Sequence, residues 1–147
     1  MNFNQYAEKG NKILNEIAQE LGFPEDLQLA SRILRGVLHT LRERLTIQES
    51  FQMMAQFPMM LKAVYVDGWK YRTKPNKIKN IGQFVKTVVE NNPGAGHHDI
   101  RTAKDGENAV KAVLKVIKNN HISEGEVKDI LSTLPPDLRL LWTNKAP

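Results

Sequence analysis

Residues 27–45 read Leu27-Gln28-Leu29-Ala30-Ser31-Arg32-Ile33-Leu34-Arg35-Gly36-Val37-Leu38-His39-Thr40-Leu41-Arg42-Glu43-Arg44-Leu45. Leu27, Ala30, Leu34, Val37, Leu38, Leu41 and Leu45 recur at spacings of three and four, the period of an amphipathic helix. Arg32, Arg35, His39, Arg42 and Glu43 occupy the other face. The stretch predicts a helix of about five turns. Pro24-Glu25-Asp26 is expected to start it, since proline suits a first turn and acids suit the positive end of the helix dipole. His39 is expected at the surface or in a capping role.

Helical patterning continues on both sides. Phe3, Tyr6, Ile13, Leu14, Ile17 and Leu21 form an earlier helix, with Gly22 as its stop. Thr46-Ile47-Gln48-Glu49 is a capping box. It opens a helix carrying Phe51, Met53, Met54 and Phe57. Pro58 restarts the chain into Met59, Leu61, Val64 and Tyr65. Ile81, Phe84, Val85, Val88 and Val89 form another run, broken at Asn92-Pro93-Gly94-Ala95-Gly96. Ala109, Val110, Val113, Leu114 and Ile117 follow. Ser123-Glu124-Gly125-Glu126 is a second capping box before Val127, Ile130, Leu131 and Leu134. Pro135-Pro136-Asp137 restarts the chain into Leu138, Leu141 and Trp142.

The order of signals repeats. Thr46 and Ser123, Glu49 and Glu126, Pro58 and Pro135, Leu61 and Leu138, and Tyr65 and Trp142 all lie 77 positions apart. Val37 and Val113, Leu38 and Leu114, and Leu41 and Ile117 lie 76 apart. This pattern predicts an internal repeat of a helical unit. The expectation is an all-α fold of about six to eight helices, in which two similar units pack around one core as a compact bundle. Unit one spans about residues 1–66, a basic connector about 67–80, and unit two about 81–143. Together they form one domain, with 144–147 as a short tail.

Composition narrows the function. The 147 residues are 41% hydrophobic and 25% charged, ordinary for a globular chain. The absence of cysteine excludes disulfides, thiolate metal sites and cysteine nucleophiles. Met1-Asn2-Phe3-Asn4-Gln5-Tyr6 predicts no secretory signal, and no apolar run approaches the roughly 20 residues that span a bilayer. The expected location is the cytoplasm. The net charge of +5 is concentrated: residues 62–86 alone carry +6, leaving about −1 for the rest.

Leu34–Leu45, Gln56-Phe57-Pro58, Val64-Tyr65 and Asp67-Gly68-Trp69 resemble segments of a prokaryotic family, catalogued as domain of unknown function 2267. Gly125-Glu126-Val127 and Leu134-Pro135-Pro136-Asp137-Leu138-Arg139 continue the resemblance, which covers about residues 3–142. The chain departs from that pattern at Asn91–His98, which is richer in glycine and histidine. The resemblance implies a small all-helical prokaryotic protein and carries over no catalytic residue.

Three constellations are candidates for function. The connector places Trp69, Lys70, Tyr71, Arg72, Lys74, Lys77 and Lys79 together. Aromatics that stack and cations that meet phosphate suit nucleic acid or another polyanion. The alternative is a solvated connector with Trp69 as its anchor. His97-His98-Asp99, near Asp105, has metal-ligand types without metal-ligand spacing, so no metal site is assigned. Its plainer reading is a polar loop with Asp99 or Asp105 capping the next helix. His121, near a helix end, reads as surface or capping. Phe51, Met53, Met54, Phe57, Met59 and Met60 read as core, or in part as an exposed patch for a protein partner or homodimer. No nucleophile, P-loop or dinucleotide fingerprint is present, so no catalytic residue or cofactor is assigned. The favoured function is a non-enzymatic protein-interaction or structural module, with polyanion binding through Trp69–Lys79 as the alternative.

Overall fold

The computed structural model describes residues 1–70, 74–92 and 95–143, the Asp137 side chain excepted. Among the described residues the fold is all-helical, with nine helices and no strand. They are α1 (Phe3–Leu21), α2 (Leu27–Arg44), α3 (Ile47–Met54), α4 (Met59–Val66), α5 (Ile81–Glu90), α6 (Gly96–Asp99), α7 (Ala103–Asn120), α8 (Glu124–Thr133) and α9 (Pro136–Thr143). The ninth helix arises where the sequence reads as a break: α6 is a single turn within that glycine-rich stretch.

The helix ends follow their local chemistry. Gly22 ends α1 in the left-handed conformation, φ 88°, and its N–H reaches back to the carbonyls of Ala18 and Gln19. The start of α2 lies later than the proline suggests. Asp26 is its N-cap and accepts from the Leu29 N–H at 3.0 Å, while Glu25 just before it has φ 77°. Both capping boxes form reciprocally, Thr46 with Glu49 and Ser123 with Glu126. Replacing Thr46 or Ser123 by alanine is expected to cost about 1 kcal/mol each in urea denaturation. A loss of only a few tenths would show that the box adds nothing to its helix.

One apolar cluster runs from Ile13 in α1 to Trp142 in α9. The 18-residue helices α2 and α7 contact each other, and α1 packs on both. On α2, Ala30, Leu34, Val37, Leu38 and Leu41 are buried, as the three-and-four spacing requires. α5 lies against α2 and α7, α4 against α1 and α2, and α9 against α7. The two capping-box helices, α3 and α8, pack on one another. No helix among the described residues is long and apolar enough to cross a membrane.

Candidate functional site

The polar face of α2 is turned toward the end of α4. Every helix leaves its last carbonyls without intrahelical partners. Here α2 supplies donors for them. His39 Nε2 lies 2.8 Å from the Val64 carbonyl, which only accepts, so Nε2 carries the proton. Arg42 Nη1 donates to the carbonyls of Tyr65 at 2.9 Å and Asp67 at 2.6 Å. Arg35 pairs with the exposed Asp67 carboxylate. Of the two readings of His39, surface or capping, the second holds: it is buried, 5% exposed, and clamps a carbonyl at the end of α4. Burial holds its pKa down to about 4, with the positive charges of Arg42 and Arg35 adding to the effect against the bond to Val64.

The connector is fastened to the same end of α2. Asn76 N–H donates to the Glu43 carbonyl at 2.8 Å, and Asn76 Nδ2 to the Glu43 carboxylate at 3.1 Å. Arg44 Nε donates to the Ile78 carbonyl at 2.7 Å, and the Ile78 side chain is buried. Upstream, Asp67-Gly68 turns the chain with Gly68 at φ 67°. Trp69 is half-buried, edge-on to Tyr65 at 5.6 Å and tilted against Phe51 at 6.4 Å. Tyr65 is itself fixed below by a 2.7 Å hydrogen bond with Ser50, and burial pushes its phenol up.

These fastenings leave a cleft of about 210 Å3 between the end of α2, the start of α3 and the connector. Trp69, Lys70, Lys74, Arg42 and Ile47 are among its lining residues. Lys77 and Lys79 line an adjoining depression that shares Pro75 with the cleft. Lys70, Lys74, Lys77 and Lys79 are exposed. Five of the seven connector residues picked out in the sequence thus fall on one continuous surface. Tyr71 and Arg72 lie outside the described residues.

Phe51 joins this surface, 61% exposed beside Trp69. Of the six Phe and Met residues in this segment, Met53, Met54 and Phe57 are core, Met60 is half-buried, and Phe51 and Met59 are exposed. A signal for Phe51 existed. Its counterpart 77 positions on is the exposed Lys128, whereas Met53 and Phe57 correspond to the buried Ile130 and Leu134.

The histidine-rich stretch has a structural use. Asp99 is 2% exposed at its side chain and receives Arg32 Nε at 2.8 Å and Nη2 at 3.0 Å. Asn92 Nδ2 donates to it at 3.0 Å. Burial raises the Asp99 pKa, but the bonds from Arg32 and Asn92 outweigh it and hold the carboxyl below its ordinary range. The cap of α7 is neither Asp99 nor Asp105. It is Thr102, whose side chain accepts from the Asp105 N–H at 3.0 Å. His97 and His98 are exposed, and no group of three metal-ligand side chains occurs among the described residues. His121 follows α7 at its C-cap and donates through Nε2 to Glu16 at 2.9 Å, tying that end to α1.

A family model described as "Uncharacterized conserved protein (DUF2267)" matches residues 10–141. No curated protein matches the chain.

Proposed function

The chain belongs to the DUF2267 family, and from that premise we propose that it is a non-enzymatic interaction module that presents the connector end of a rigid helical body to a protein partner. One observation carries this reading. Phe51 is a large aromatic held out in solvent against Trp69, which lines the cleft and is itself fixed edge-on to Tyr65. Aromatics so placed are common anchors of protein interfaces. The exposed lysines along the cleft favour a second reading, polyanion binding, which the peptide and oligonucleotide titration below separates from the first.

The reading takes the chain as one cytoplasmic, prokaryotic domain built from an internal repeat. Val37, Leu38, Leu41, Leu61 and Tyr65 are buried, as are Val113, Leu114, Ile117, Leu138 and Trp142. The clamp recurs too. Arg42 donates to the Tyr65 carbonyl, and Lys118, 76 positions on, donates to the Trp142 carbonyl at 3.0 Å. Two such units sharing one core make a stiff base for a surface between them.

The test compares tagged wild-type protein with Phe51→Ala in affinity capture followed by mass spectrometry. The expected result is an identified protein retained by the wild type and lost from the variant. An identical set on both, or none on either together with a strict monomer in light scattering, overturns the proposal.

A further inference from the structure

We propose that the cleft beside Trp69 docks a short acidic segment of a partner protein, anchored by one apolar side chain laid against Phe51. This rests on the interaction reading above and adds the partner's chemistry to it.

Charge complementarity sets the sign. Residues 62–86 hold +6 in a chain of +5. Lys70 and Lys74 stand exposed at the cleft, and Lys77 and Lys79 extend the charge along the adjoining depression. Arg42 and Arg44 nearby have structural work instead. Arg42 holds the carbonyls at the end of α4, and Arg44 holds Ile78. Among the described residues the exposed charge at the cleft is thus carried by lysines, flexible point charges that suit carboxylates in varied positions.

Size selects a segment over a small molecule. At about 210 Å3 the cleft is smaller than the roughly 300–1,000 Å3 typical of small-molecule pockets. Phe51 is not itself in the lining, but it packs on Trp69, which is, and its exposed ring gives an apolar side chain something to cover.

Geometry favours a peptide over single-stranded nucleic acid. Strand binding stacks successive bases on free aromatic faces. Trp69 is half-buried, at 89° to Tyr65 and 56° to Phe51, so its ring is already engaged in the aromatic cluster.

The test titrates the full chain with three probes: a short oligoglutamate peptide with one central phenylalanine, the same peptide with central alanine, and an oligothymidylate of matching charge. Isothermal titration at low and moderate salt is the readout. The phenylalanine peptide is expected to bind about tenfold or more tighter than its alanine counterpart, as for a buried aromatic anchor. Lys70→Glu with Lys74→Glu should abolish binding, and Phe51→Ala should erase the difference between the peptides. Circular dichroism checks that these surface variants fold. Tighter binding of the oligothymidylate overturns the proposal in favour of nucleic acid. Equal binding of both peptides overturns the anchor. Failure of every probe, with capture still sensitive to Phe51→Ala, overturns the acidic chemistry alone. Failure of both experiments removes the interaction reading as well.

Discussion

Gly96→Ala is expected to destabilise the protein by about 3 kcal/mol, at the upper end for overpacking. A Cβ at Gly96 would lie 2.3 Å from the Val89 carbonyl oxygen. That oxygen belongs to the backbone of α5, so no rotamer change relieves the contact. Moving α6 away would disturb Asp99 at its end, and with it the paired Arg32. Gly106→Ala tests the same idea with a softer neighbour. Its Cβ would meet Val85 Cγ1 at 2.2 Å and Ile100 Cγ2 at 3.0 Å. Alanine gains about 1 kcal/mol in helix propensity at such a position. The stiff β-branched Val85 makes the clash cost more, for a net loss of about 2 kcal/mol. Val85→Ala should recover part of the Gly106→Ala loss, and nothing comparable should rescue Gly96→Ala. Gly125→Ala is the control, because the nearest atom to its Cβ is 4.0 Å away. Urea denaturation of the set checks these outcomes. Equal stability of the Gly96, Gly106 and Gly125 variants would refute the close approaches.

The second large effect is a pH dependence set by His39. Its folded pKa of about 4 lies below the ordinary value of 6.5. Between those limits the unfolded chain binds a proton that the folded chain refuses, so stability falls as pH falls. The contribution is fully present above pH 6.5 and is lost progressively toward pH 4. The slope is about 1.4 kcal/mol per pH unit and the total about 3 kcal/mol. All other titrating groups are common to both proteins, so the comparison that matters is wild type against His39→Gln. Glutamine keeps an N–H donor for the Val64 carbonyl and cannot take up the proton. The wild type should lose stability more steeply between pH 6.5 and 4.5. Parallel curves would show that His39 protonates freely in the fold. NMR titration of the ring gives an independent check, with no protonation expected above pH 5.

The helices were largely legible because their signals are local. Apolar spacing on α2 and α7, the two Thr/Ser-to-Glu caps and Gly22 act within one or two turns. The glycine-rich break was not legible as α6, because that turn sits against α5 through the missing Cβ of Gly96. The connector's cations and Trp69 were legible as a group, but the role of Phe51 was not. Its exposure depends on which side of α3 faces α8 and α4.

By itself, then, the sequence determined an all-helical chain, its main breaks, its apolar faces and the concentration of charge between its halves. Only the tertiary structure decided what the polar residues do. His39 reads as surface or capping, and it is buried as a cap because the open carbonyl of Val64 lies opposite it. Asp99 reads as a cap and becomes the buried half of a partly exposed ion pair because Arg32, 67 positions away, reaches it. Helical period and caps are set by neighbours in the chain. A polar side chain's role is set by whichever donor or acceptor packing brings to it, and no local spacing records that.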